Sequence, residues 1–209
     1  MSAIESELQK TIETIYRIDR TACVADFRIG EEVLSCFVES ASVDPAREAL
    51  LVREHGEIVD LALFISDEVM RRARAFAEQG EGHLDAFCVA TEGVSHFVYV
   101  TFCGDQDRGV SQIELELQAE IDKYLVLKLA YPQLSEELVP RLYDRFRLSE
   151  RLTHRERERY TVANRAGRRY ARWLHREFSR GRGEKALCDA RDLYRKPLAS
   201  KLEHIDRAA

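Results

Sequence analysis

Two hydrophobic rhythms run along this chain. Residues 22–66 carry β-branched and aromatic side chains in short runs. One is "ACVADFRIGEEVLSCFVESA" around Gly30; the other is "EALLVREHGEIVDLALFIS" around His55 and Gly56. Glycine supplies tight turns, so each run reads as an antiparallel hairpin, and the pattern predicts four antiparallel strands. Elsewhere the spacing is helical. Ile4, Leu8, Ile12 and Ile15 follow a capping box of Ser2 and Glu5. Ser66 precedes "DEVMRRARAFAEQG", with acids in the first turn and arginines later, as the helix dipole favours. Leu84, Phe87, Thr91, Val94, Val98 and Thr101 are spaced for a helix, which is expected over at least 92–103 although the run after Gly93 is rich in Val and aromatics.

"SQIELELQAEIDKYLVLKLAY", from Ser111 to Tyr131, alternates at Ile113, Leu115, Leu117, Ala119 and Ile121, which is strand period. Ser111 and Glu114 nevertheless form a capping box, and no Val or Thr appears before Val126, so a helix is predicted. Ile113, Leu117, Ile121 and Tyr124 then form one apolar face, and Leu115, Ala119 and Val126 a second on nearly the opposite side. Such a helix is sandwiched between two layers. Its flanks, Glu116, Glu120 and Lys123 on one side and Glu114 and Gln118 on the other, have little room to reach water.

Pro132 ends that helix, and Ser135 is expected to cap "EELVPRLYDRFRL". Thr153 and Glu156 make a further capping box before "RERERYTVANRAGRRYARWLHREF". "SRGRGE" reads as a turn, Glu184 to Tyr194 as a short helix ended near Pro197, and Ser200 to Ile205 as the last. The expected fold is α+β: an N-terminal helix and a four-stranded antiparallel sheet packed on a larger C-terminal helical part. A single compact domain covers 1–209, with residues 1–82 acidic and β-rich and 83–209 helical.

Composition narrows the classes. The chain has 209 residues, 45% hydrophobic and 33% charged, ordinary for a globular protein. "MSAIESELQK" has no apolar core and is no secretory signal, and no stretch approaches the roughly 20 apolar residues of a spanning helix, so a cytoplasmic protein with no membrane contact is expected. Cys23, Cys36, Cys88, Cys103 and Cys188 include no CxxC pair and read as free thiols. The net charge of −5 hides a division: residues 1–140 hold 12 basic and 27 acidic side chains, and the basic excess begins at residue 141. Either the two parts pair with each other, or the second meets an anionic partner.

Two clusters carry candidate chemistry. Glu92 and His96 are i and i+4, as are Glu116 and Glu120. On two antiparallel helices the four could bind one divalent transition metal, iron, manganese or zinc, and activate water for hydrolysis. Against this, Glu116 could instead pair with Lys123 or a C-terminal arginine. The second cluster is a stripe of Arg165, Arg168, Arg172, His175 and Arg176, opposite Val162, Ala166, Tyr170, Trp173 and Leu174. Arginine suits phosphate and carboxylate, so the stripe could bind nucleic acid or an acidic protein. The Arg168 to His175 interval resembles the Arg…His spacing of some all-helical prokaryotic RNases, a likeness of spacing alone. No Walker loop, GxGxxG, HExxH or GxSxG is present. The sequence therefore points first to a binding or regulatory protein using the arginine stripe. A metal-dependent hydrolytic enzyme and a structural protein with internally paired charges are the alternatives.

Overall fold

The computed structural model describes residues 3–19, 22–37, 48–56, 58–144 and 153–208. Helix α1 spans Ile4–Tyr16 and buries Ile4, Leu8, Ile12 and Ile15, the positions its spacing picks out. It starts from Ala3 with no side-chain cap, and Ser2 of the expected capping box lies outside the described residues.

The four-stranded antiparallel sheet is not what forms. The structure is mostly helical, with a three-stranded mixed sheet. One helical turn, α2 (Val24–Phe27), leads into a two-residue strand, β1 (Arg28–Ile29), which pairs in parallel with Leu63 and Phe64. Gly30 then opens helix α3 (Glu31–Phe37) where a hairpin turn is expected. The Leu34 amide donates to the Gly30 carbonyl at 3.0 Å, and Glu31 and Glu32 occupy the first turn, where the helix dipole favours acids. Local propensity in a short apolar run therefore loses to a good helix start. The end of the first predicted hairpin, residues 38–41, lies outside the described residues.

The second hairpin forms as the pattern requires. β2 (Glu48–His55) and β3 (Ile58–Ile65) pair antiparallel from Glu48 with Ile65 to His55 with Ile58. Gly56 sits at the turn with φ +63°, a backbone region open to glycine at little cost. Ser66 accepts a hydrogen bond from the Val69 amide and so caps α4 (Asp67–Gln79), which ends on Gly80 in the left-handed region.

The core is built around two long helices, α5 (Leu84–Gly104) and α6 (Gln112–Ala130). They run antiparallel: Tyr99 meets Glu114 and Ser95 meets Asp122. By length and composition α5 could cross a membrane, so the expectation that no stretch approaches spanning length does not hold for it; two thirds of its apolar window is buried inside the fold. α6 is capped by Ser111, whose hydroxyl accepts from the Glu114 amide, and an almost unbroken run from Glu116 to Leu127 is buried.

Pro132–Leu134 form a 3-10 turn after α6, and Pro140–Asp144 a π turn. Of the helix expected behind Ser135, residues 138–144 are helical, with π geometry from Pro140. Pro140 has no amide proton to donate, but the Arg141 amide still donates to the Glu137 carbonyl at 2.9 Å, and residues 145–148 lie outside the described residues. The Thr153–Glu156 capping box is complete and starts α7 (His154–Ser179), which is followed by α8 (Gly183–Tyr194) and α9 (Leu198–Ala208). Helix α7 runs parallel to α6. Arg159 meets Gln112, Gly167 meets Glu120 and His175 neighbours Lys128, a constant offset along both helices. At Gly167 the close approach is essential: a Cβ there would lie 2.7 Å from the Glu120 Cβ. α8 closes the far side, with Tyr194 stacked on Tyr16 at 3.9 Å and Arg191 donating to the Ile15 carbonyl.

Candidate metal centre

A helix buried on both apolar faces must also bury its polar flanks, and α6 solves this twice. On one flank the carboxylates are held by short hydrogen bonds. Asp122 accepts from Tyr16 and Ser95, each at 2.5 Å, and from Gln118 at 2.8 Å. Glu114 accepts from Tyr99 at 2.6 Å and Arg108 at 2.7 Å. Lys201, fully buried, donates to Gln118 and lies 4.5 Å from the Tyr99 ring centre. Buried charges are tolerated when they are paired and hydrogen-bonded, and this flank is a structural network even though Arg108 Nε and Tyr194 Oη have no partner in it.

The opposite flank is different. Glu92, His96 and Glu116 bring one ligand atom each to within 4.8 Å of the others. His96 is 7% exposed, and its Nε2 lies 3.6 Å from Glu116 Oε2, too long for a hydrogen bond. That nitrogen has no hydrogen-bond partner. Behind the ring, Nδ1 lies 4.0 Å from Oε1 of Glu48, at the start of β2. Gly93 makes room for this approach, since a Cβ there would lie 3.0 Å from Glu48 Oε2 and 3.2 Å from Ile65 Cδ1. Arg159 Nε lies 3.3 Å from the other oxygen of Glu116, also outside hydrogen-bond geometry. Tyr160 borders the cluster, with the Arg159 guanidinium 5.1 Å from its ring centre.

Of the four residues singled out by spacing, the structure thus gathers Glu92, His96 and Glu116. Glu120 stands beside them but is bound to Lys123 Nζ at 2.8 Å, and the same amine holds Glu92 at 3.0 Å. Both pairings weighed for Glu116 are therefore resolved: Lys123 serves its neighbours, and Arg159 is the arginine that approaches Glu116. Glu48, Arg159 and Tyr160 were not anticipated. Glu48 sits within a strand pattern and Arg159 among many arginines, so neither carries a local signal; only the tertiary fold brings them to His96.

The electrostatics follow from crowding. Burial pushes the Glu48 carboxyl up to about 8, against the pull of His96 and with help from Glu92 and Glu116. Burial alone would lower His96, but Glu116 and Glu48 outweigh it and carry the imidazole up to about 9. Burial raises Glu120 as well, despite Lys123. Four carboxylates here face two permanent cations, Lys123 and Arg159, with one imidazole between them. Those shifts leave Glu48 protonated and His96 charged at neutral pH, so Glu92, Glu116 and Glu120 balance Lys123, Arg159 and His96; a divalent ion would have to displace those two protons.

The arginine stripe is placed elsewhere. Arg165, Arg172 and Arg176 are exposed on α7, and among the described residues no ion pair involves them. Arg168 pairs with Asp144. His175 is partly buried, and desolvation together with Lys128 lowers its pKa. Trp173 stacks on Tyr170 at 5.5 Å and belongs to the packing between helices. Among the described residues of α7, the pair Arg159–Glu116 crosses to the acidic part of the chain, whereas Arg169–Asp206 stays within the basic part. Cys23, Cys88, Cys103 and Cys188 are free thiols, and the Cys36 side chain lies outside the described residues. A groove of about 610 Å³ between the end of α1 and α8 is lined by residues such as Lys10, Arg17 and Arg191, none of them part of the cluster.

Comparison with family models, with curated proteins and with solved structures finds no match, so the chemistry rests on this geometry.

Proposed function

We propose that the chain is a metal-dependent protein that binds one divalent transition ion through Glu92, His96 and Glu116. The observation that carries this reading is the gathering of a buried histidine and two carboxylates with one ligand atom each within 4.8 Å of the others, the histidine's Nε2 having no hydrogen-bond partner. A buried polar atom without a partner is costly, and native structures rarely leave one without a reason. An imidazole with two carboxylates suits zinc, manganese or iron. Glu48 takes the position of the carboxylate that orients a ligating histidine from behind, a recurrent outer-shell arrangement. An ion at Nε2 would take that nitrogen's lone pair and leave the remaining ring proton on Nδ1, the side that faces Glu48.

Three protein ligands leave coordination positions for water, which a divalent ion acidifies for hydrolysis. Glu92 is the most accessible of the three, with 19% of its side chain exposed, and gives the site its side toward solvent. Hydrolysis is accordingly the reaction class proposed. The test is titration calorimetry with Mn2+ or Zn2+ on the native chain and on Glu116→Gln. Saturable binding at one ion per chain, lost or strongly weakened in the variant, is expected. Equal heats from both proteins would overturn the assignment.

A second reading is favoured by the exposed Arg165, Arg172 and Arg176: this face of α7 contacts an anionic partner, nucleic acid or an acidic protein. Affinity for nucleic acid would fall steeply with salt. A charge reversal of these three arginines that leaves retention on heparin unchanged would dispose of it.

A further inference from the structure

The proposed centre contains one carboxylate more than the single ion uses. Glu120 lies one helical turn beyond Glu116 on the same flank of α6, fixed from two sides. Its Cβ presses on Gly167, and its carbonyl accepts a hydrogen bond from Tyr143 Oη at 2.7 Å. Between Glu120 and the ligand Glu92 stands one ammonium, Lys123 Nζ, 2.8 Å from the first and 3.0 Å from the second. One cation thus spans two carboxylates, one of which also faces His96. The second metal of a two-metal site likewise shares acidic ligands with the first, roughly 3.5–4 Å away.

The lysine has little freedom to leave. Its side chain is 12% exposed. The remaining charged groups of the cluster are Glu48, His96, Glu116 and Arg159, and the Cys88 thiol also neighbours the amine.

We infer that Lys123 is a built-in second cation, which makes this centre mononuclear and uses Glu92 in common between the bound ion and the ammonium. The inference rests on the metal reading above. A covalently tethered ammonium cannot dissociate, so Glu92 is held in place before the ion arrives. The tether also supplies only one positive charge, at hydrogen-bond distance, where a metal would supply two at roughly 2.0–2.2 Å. Removing the amine takes away the cation that Glu120 shares with Glu92 and opens that place to a second divalent ion.

The experiment is elemental analysis after equilibration with excess Mn2+ or Zn2+ and removal of free ion by gel filtration. It uses the native chain, Lys123→Ala and Lys123→Gln; the Gln variant keeps a long hydrogen-bonding side chain in case the Ala variant fails to fold. One ion per native chain and two per folded variant is the expected result. Two ions in the native chain overturn the inference whatever the variants do. One ion or none in a folded variant, with one in the native chain, overturns the role of second cation and leaves the metal reading standing. No ion in any of the three overturns both.

Discussion

Replacing Gly167 by alanine tests the contact that positions Glu120 and sets the spacing of α6 and α7. The new Cβ would lie 2.7 Å from the Glu120 Cβ and 3.6 Å from Tyr143 Cε1. Carbon atoms pack at about 3.5–4.0 Å, so the helices must separate by about 1 Å. The atom in the way is a Cβ, which cannot swing aside, and α6 is hemmed in by α5 behind it. Overpacking of this kind costs about 1–3 kcal/mol, and the rigidity of the contact places it toward the upper end. Against that stands the helix propensity of alanine, about 1 kcal/mol better than glycine. The net loss is therefore about 2 kcal/mol, which for a chain of this length lowers Tm by roughly 4–8 °C. Gly104→Ala is the control: that glycine ends α5 with nothing within 4 Å of an added Cβ, and its Tm should hold or rise slightly. Thermal denaturation by circular dichroism reads both. If Gly167→Ala proves as stable as the native chain, or gains what propensity alone offers, the packing account is wrong.

Lys201 gives a pH test remote from the metal ligands. Burial lowers its pKa to about 7, opposed by Glu114 and Asp122 and assisted by Arg108; Cys103 and the Tyr99 and Tyr194 rings complete its surroundings. Below pH 7 the folded state carries the full cost of the buried charge; above it the folded state sheds a proton that the unfolded chain keeps up to about 10.5, so this group's penalty shrinks as pH rises. Lys201→Met removes that trend: its stability advantage over the native chain, measured by urea unfolding, should narrow by about 2 kcal/mol from pH 7 to pH 9, and a constant gap would refute the assignment. Glu48→Gln should leave the fold intact and weaken metal binding about 10–100-fold in calorimetry, the usual effect of losing an outer-shell carboxylate; unchanged affinity would remove Glu48 from the site. Burial pushes the Cys88 thiol up to about 12 and Cys103 up to about 11, whereas Cys188 is exposed. Mass spectrometry after brief iodoacetamide treatment should accordingly find Cys188 alkylated well before the other two, and early modification of Cys88 would contradict the packing.

The helical part of this fold is legible because its signals are local. Ser66, Ser111 and Thr153 each cap the helix that the sequence places behind them. The alternation of Ile113, Leu115, Leu117, Ala119 and Ile121 is the trace of a helix buried on two sides, and the near-complete burial of α6 bears that out. Residues 22–37 mislead for the opposite reason. Their apolar run is short, and what decides it is β3, whose edge takes two residues of β1 in parallel while Gly30 starts a helix. A partner strand more than thirty residues away leaves no local mark. The candidate centre divides in the same way. Glu92 with His96, and Glu116 with Glu120, are visible as i, i+4 pairs. Glu48 and Arg159 reach the cluster only through the hairpin and the parallel packing of α7, and the bridge that Lys123 makes from Glu92 on α5 to Glu120 on α6 likewise depends on tertiary packing.

The most direct test of the central claim is a thermal-shift screen of purified chain with divalent ions and with chelator, with elemental analysis of the same sample. A site filled to about 100 times its Kd stabilises the fold by about 2.7 kcal/mol, or roughly 5–10 °C at this chain length. The account predicts a stoichiometric transition metal or a shift of that size with one ion, reversed by chelator and abolished in His96→Ala. No bound metal, and one melting temperature under every condition, would contradict it and leave Glu92, His96 and Glu116 as members of a structural ion-pair network.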